Sequence, residues 1–172
     1  MILTGEAIHC AVKSGDITID PFDRRQLNPN SYDFRLGSRC KVYEELVLDA
    51  ASDNPCKDIV VDQSGLVLEP DRVYLFNSEE TIGSNTFVPI IRGRSSTGRL
   101  GLFVHITADL IDLGSVNQLT LQLHCVIPIR LYPGMLIGQV TFWTTQGSKV
   151  FYEGKYKGLS SPAPSLSYLD WR

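Results

Sequence analysis

The feature that most restricts the fold is a period of two that begins at Leu119. Leu119, Leu121 and Leu123 alternate with Thr120, Gln122 and His124, and a strand turns successive side chains to opposite faces. One face is therefore apolar and the other polar, the pattern of a sheet covered on one side. Ile127, Ile129 and Leu131 continue the alternation, with Pro128 marking an edge or a bulge. Upstream, Val60-Val61, Leu66-Val67-Leu68 and Val73-Tyr74-Leu75-Phe76 are short apolar runs broken by turn residues, and they read as strands. Downstream, Tyr132-Pro133-Gly134 turns into the run Met135–Phe142. The strand signal is strongest between Leu102 and Trp143. Many short strands predict an all-β sandwich or barrel. One short helix stands apart near the N-terminus, where Thr4 can cap it, Ile8, Ala11 and Val12 form its stripe, and Gly15 can end it.

A chain of 172 residues suits one domain with a real core. The expectation is a single domain over 1–172 in which 147–172 forms an arm. That tail holds Gly, Ser, Pro, Lys and Tyr and few aliphatics, so it reads either as a frayed terminus or as a lid that orders over a ligand. No run of 18 apolar residues predicts a membrane span, and the opening residues lack the basic and apolar regions of a signal peptide. The net charge of -3 argues against a general nucleic-acid binder. It leaves room for one small anionic ligand at a local basic cluster. Cys10, Cys40, Cys56 and Cys125 lie far apart without a CxxC, which suits buried thiols in a reducing cytoplasm. His9, His105 and His124 do not stand at zinc-ligand spacing from them, and the H-x-E with P-C-x-x-C signature of zinc deaminases is absent. No metal ligand is expected among the side chains.

The charge pattern singles out one stretch. From Thr81 to Ala108 there is no Asp or Glu, yet Arg92, Arg94 and Arg99 are present. At its centre stands Gly93-Arg94-Ser95-Ser96-Thr97-Gly98-Arg99-Leu100-Gly101. Serine hydroxyls, amides beside glycines and guanidinium groups are good phosphate donors. The same residues also suit a solvated turn with capping serines. Next comes Ala108-Asp109-Leu110-Ile111-Asp112-Leu113-Gly114, a turn that presents Asp112 among apolar neighbours. Such a carboxylate can orient a water or a sugar hydroxyl, or serve only as a turn-forming residue. The polar face carrying Thr120, Gln122 and His124 follows. A strand glutamine by itself marks no more than a solvent-facing position.

Five ordered segments together resemble the dCTP deaminase branch of the dUTPase superfamily. They are Gln26-Leu27-Asn28-Pro29-Asn30-Ser31-Tyr32-Asp33-Phe34-Arg35-Leu36-Gly37, Arg94–Gly101, Val104–Ala108 with Ile111-Asp112, Arg130–Gly138, and the tail Tyr152–Tyr156 with Pro162, Pro164 and Ser165. The resemblance implies a distorted β-barrel or jelly-roll-like subunit that assembles as a homotrimer, with sites at subunit boundaries. It implies deoxypyrimidine triphosphate ligands, dCTP and dUTP, with dTTP as a candidate inhibitor, and Mg²⁺ bound through the triphosphate. By position, Arg94, Ser95, Ser96 and Arg99 would meet the triphosphate or the reacting base. Asp112 would meet the sugar or the attacking water. Ala108 would offer its carbonyl near the base. Thr120, Leu121 and Gln122 would read the pyrimidine edge, and Tyr152 and Lys155 would belong to the closing arm.

The chain departs from that family's pattern where the chemistry is most sensitive. Its strand reads Gly114-Ser115-Val116-Asn117-Gln118-Leu119-Thr120-Leu121-Gln122-Leu123, so Gln122 stands at the position of the general acid/base Glu. Asn117 replaces a Gly, Cys125 an Asn, and Leu159 a Gln of the arm. Without a metal, deamination at C4 needs a carboxyl group to take a proton from water and give one to ammonia. A carboxamide cannot carry it, and general acid–base catalysis is worth roughly 10²–10⁴-fold. A carboxamide can still accept from a cytosine amino group or donate to a uracil oxygen. Asp112 is retained, and hydrolysis to monophosphate and pyrophosphate needs positioning and charge neutralisation instead. Three readings stand side by side: a deaminase weakened at Gln122, a Mg²⁺-dependent pyrophosphatase using Asp112, and a silent nucleotide-binding trimer.

Overall fold

Thr4 and Gly15 bracket the first helix as their chemistry predicts. The structure, a computed structural model, describes residues 1–171. Its elements in chain order are α1 (Gly5–Ser14), β1 (Ile17–Asp20), β2 (Tyr32–Tyr43), β3 (Cys56–Val60), β4 (Leu66–Leu68), β5 (Tyr74–Ser84), β6 (Phe87–Gly93), α2 (Ser95–Gly98), β7 (Leu102–Phe103), β8 (Val116–Cys125), β9 (Ile129–Leu131) and β10 (Leu136–Thr144). The Thr4 hydroxyl accepts from the amide of Ala7, and Gly15 ends α1 at φ 81°, a left-handed conformation that glycine adopts without strain. Among the described residues, no helix is long and apolar enough to cross a membrane.

The main sheet has eight strands in the order β6-β10-β2-β5-β8-β7, with β1 added to β5 and β3 to β2. Its pairings are antiparallel. The sheet curls around one core in a distorted, barrel-like form. Tyr32 and Phe34 of β2, Phe76 and Ile82 of β5, Leu121 and Leu123 of β8, and Phe142 of β10 are each at most 1% exposed. Period-two burial in β8 therefore matches its sequence: Leu119, Leu121, Leu123 and Cys125 point inward. Cys40 and Cys125 are buried, Cys56 is half-buried and Cys10 is exposed, so the expectation of buried thiols holds for two of the four. Burial pushes the Cys40 thiol up to about 12, which keeps it protonated and inert.

Two expectations need correction. The alternation does not run on from β8 past Pro128. The strand ends at Cys125, and the amide of Val126 turns aside to the carbonyl of Gly101 at 3.1 Å. Ile129–Leu131 then forms β9, which pairs with β4 in a separate two-stranded sheet. A proline cannot donate to the β8 ladder, so the chain leaves the sheet before reaching it. The strand signal from Leu102 to Trp143 also includes a long irregular loop between β7 and β8. Two of its apolar residues are surface groups, Ile106 at 51% and Leu110 at 58% exposure, while Val104 and Leu113 are buried at 2% and 8%.

A buried polar cluster sets the register at the centre of the sheet. Glu80 is fully buried. It accepts from the Arg35 amide and Nε, each at 2.8 Å, and from Gln26 Nε2 at 3.2 Å. The cluster sits where β5 shifts register against β8 between Asn77 and Thr81. There the Ser78 hydroxyl donates to the Glu80 carbonyl and accepts from the Leu119 amide at 2.8 Å. The bulge in β5 thus holds β8, the strand that builds the site.

Candidate functional site

The loop after β7 is pinned to β6 and lies beside the polar face of β8. The Ile91 amide donates to the Asp109 carbonyl at 2.7 Å, and the Ile111 amide to the Pro89 carbonyl at 2.9 Å. The Ser115 amide donates to the Asp112 carbonyl at 3.1 Å, closing the turn, and Gly114 sits there at φ 82°. A side chain at Gly114 would be strained and would press on Phe151. Phe151 lies in the arm, which the Tyr152 amide ties to the Leu113 carbonyl at 2.8 Å.

The arm continues over β8. The Ala163 amide donates to Thr120 Oγ1 at 3.2 Å, the Ser165 amide to the Tyr43 hydroxyl at 2.8 Å, and the Leu166 amide to the Tyr156 hydroxyl at 2.8 Å. Between loop, strand and arm lies a cavity of about 390 Å³, within the range of small-molecule sites. Ala108, Asp112, Thr120, Gln122 and Tyr152 line it. Three groups of the sequence expectation are thereby brought together: the Asp turn, the polar strand face and the arm. Asp112 is the sole carboxyl group among the lining residues. The Gln122 Oε1 accepts from the Ile106 amide at 3.4 Å, a long contact that leaves the carboxamide free to turn toward a ligand.

Other expected residues lie elsewhere. Leu121 faces the core at 1% exposure, because it has the opposite parity to Thr120 and Gln122. Its side chain cannot read a base, and only its main chain is available. Arg94, Ser95, Ser96 and Arg99 do not line this cavity. The serines are exposed on α2. Arg99 donates to the Ser95 carbonyl at 3.2 Å. Arg94 is engaged: its Nε lies 3.1 Å from Asp33 Oδ2, and its guanidinium donates to the Leu136 carbonyl. Burial raises the Asp33 carboxyl, and the Arg94 charge pulls it back down. Arg94 is thus a strut that fastens α2 to β2 and β10. Lys155 pairs with Asp170 at 2.5 Å and does not line the cavity.

Gln118, Ser115 and Tyr156 also line the cavity, although the sequence reading did not single them out as site residues. Extending the period-two face of β8 back by one step would have found Gln118. The others depend on how the turn and arm fold back, which no local pattern reveals. Of the four departures from the family pattern, Asn117, Gln122 and Leu159 line this one cavity, while Cys125 is buried with its thiol on the Leu68 carbonyl. Among the described residues, no group of three or more His, Cys, Asp and Glu could hold a metal ion. The hydroxyl and amide groups that line the cavity would suit a metal that arrives on a triphosphate's own oxygens.

The curled antiparallel sheet, with its cleft between a strand, an Asp turn and a C-terminal arm, defines a barrel of the dUTPase type. The chain belongs to the dCTP deaminase-like family, whose model matches residues 2–145. A "dCTP deaminase, dUMP-forming" of Clostridium beijerinckii is 42% identical over 172 residues, with 99% of each chain covered. Proteins of the same name from Hathewaya histolytica and Leptospira biflexa are 43% and 42% identical, covering 99% of this chain and 99% and 98% of theirs. The crystal structure of 2'-deoxycytidine 5'-triphosphate deaminase from Agrobacterium tumefaciens matches 84% of this chain with a TM-score of 0.67 at 24% identity. This chain spans 48% of that longer one, and the likeness speaks for the fold.

Proposed function

We propose that this protein acts on the deoxypyrimidine triphosphates dCTP and dUTP within dCTP-to-dUMP chemistry, and that it keeps the hydrolytic half while Gln122 suppresses deamination. The observation that carries this reading is the composition of the cavity wall: one carboxylate, Asp112, and a carboxamide, Gln122. Asp112 at its turn orients a water toward the α-phosphorus. The new P–O bond forms as the bond to the bridging oxygen breaks, releasing dUMP from dUTP with pyrophosphate. Gln122 meets the pyrimidine edge, its amide donating to a carbonyl oxygen or accepting from an amino group. Mg²⁺ on the triphosphate supplies charge neutralisation.

The phosphate donors come from a second copy of the chain in this reading. Ser95, Ser96 and Arg99 do not line the cavity of their own chain. On the surface near them, Leu100, Phe103, Ile106, Val126 and Ile127 are each more than half exposed, an apolar surface that an assembly would cover. A homotrimer that seats one copy's α2 at its neighbour's cavity satisfies both observations. Four cysteines without a disulfide suit a reducing cytoplasm.

Incubation with Mg²⁺ and dUTP or dCTP, followed by separation of products, tests the reading. Pyrophosphate with dUMP or dCMP is the expected result, and Asp112→Asn should slow its release by about 10–100-fold through loss of water positioning. Deamination of dCTP as fast as hydrolysis of dUTP would overturn it. Saturable binding without turnover would favour the silent trimer instead. Arg99→Ala should weaken dUTP binding by about 1.5–3 kcal/mol, the worth of a charge-assisted contact. Calorimetry reads that change, and an unaltered Kd would remove Arg99 from the phosphate site.

A further inference from the structure

Asn117 lines the cavity at the end of β8 that meets the Asp112 turn. Its amide orientation is set by two contacts: Nδ2 lies 3.0 Å from Ser115 Oγ and 3.5 Å from the Tyr156 carbonyl. A carbonyl takes only a donor, so the nitrogen faces Tyr156 and the oxygen faces away. Asn117 Oδ1 is buried and has no hydrogen-bond partner. Leaving such an acceptor unmet is costly, because its lost hydration is not replaced. A buried polar group tolerated without a partner calls for an account in terms of strain, ligand or water.

The position along β8 narrows what the missing donor can be. Gln122 lies five positions further on in the same strand, roughly 16 Å away at about 3.3 Å per residue. A pyrimidine ring whose edge meets Gln122 does not also reach Asn117. The remaining parts of a nucleoside triphosphate are the sugar and the phosphates. Phosphate oxygens at neutral pH accept and do not donate, whereas a sugar hydroxyl does both. We infer that Asn117 Oδ1 accepts a hydrogen bond from a sugar hydroxyl of the bound nucleotide and so makes the pentose part of what the site selects. The inference rests on the reading of this cavity as a nucleoside triphosphate site. The contact of Nδ2 with the Tyr156 carbonyl at 3.5 Å holds the amide in this orientation.

Calorimetric binding of dUTP, 2',3'-dideoxy-UTP and UTP to the wild-type protein, Asn117→Gly and Asn117→Asp tests it. A 3'-hydroxyl donor predicts that dideoxy-UTP binds about tenfold more weakly than dUTP, the worth of one good hydrogen bond. A 2'-hydroxyl donor predicts instead that UTP binds about tenfold more tightly than dUTP. Either gap should shrink to about twofold or less in Asn117→Gly, which removes the acceptor, and persist in Asn117→Asp, which keeps one. Wild-type protein that binds all three nucleotides alike overturns the inference, whatever the variants do. So does a gap that Asn117→Gly leaves intact. Failure to bind any of the three overturns the nucleotide reading itself, which separates the two failures.

Discussion

Gln122→Glu raises the conversion of dCTP to a uracil nucleotide by about 10²–10⁴-fold, the usual worth of a positioned acid/base. The exchange is nearly isosteric, so the strand and cavity have no reason to move. Gln122 is half-buried on the polar face of β8, and its main chain pairs with Leu75 of β5, a register that the substitution leaves alone. What changes is one atom and the ability to hold a proton. A carboxylate near the base takes a proton from water as the C4–O bond forms, and returns one to the amino group as the C4–N bond breaks. Chromatography of the products from dCTP measures the gain. If Gln122→Glu deaminates no faster than the wild type, a missing proton carrier is not the whole difference. In that case Asn117 and Leu159, which line the same cavity, have reshaped the pocket as well.

The fold was legible wherever a face was buried on one side only. β8 shows its period of two, and α1 shows its cap, stripe and terminating glycine, because one local interaction decides each. The central strand β2 was legible only through its resemblance motif. Its sequence, Tyr-Asp-Phe-Arg-Leu-Gly-Ser-Arg-Cys-Lys-Val-Tyr, mixes charges into a strand that is mostly buried, and Arg35 is tolerated there because Glu80 meets it. That partner lies 45 positions away, beyond any periodicity. The site divides in the same way. Asp112 and Gln122 stood out only through the resemblance, because by type and spacing one suited a turn and the other a solvent-facing strand position. The packing of Tyr156 and Leu159 into the cavity depends on how the arm returns to β8. The engagement of Arg94 with Asp33 was not legible either, because an arginine beside serines carries no sign of a partner 61 positions away.

Glu80→Ala should destabilise the protein by about 3 kcal/mol, the lower end for removing one partner of a buried ion pair. The lower end applies because the Arg35 side chain keeps 30% exposure, so water rescues part of its charge. The Arg35 amide and Gln26 Nε2, which also donate to Glu80, have no such exit: Gln26 is 8% exposed, and a buried donor left unmet adds its own cost. For a chain of this length each kcal/mol is worth roughly 2–4 °C, so a thermal melt should shift down by about 6–12 °C. Glu80→Gln should lose less, since it retains one acceptor oxygen for three donors. The damage should also reach the cavity. The Glu80 carbonyl accepts from the Ser78 hydroxyl, and that hydroxyl accepts from the Leu119 amide, so a relaxed bulge loosens β8 between Asn117 and Gln122. Weaker dUTP binding at a temperature where Glu80→Ala is still folded is therefore expected alongside the lower melt. A variant that melts with the wild type would show that the Arg35–Glu80 pair contributes nothing net, and one that melts early but binds dUTP normally would show that the bulge does not hold the site.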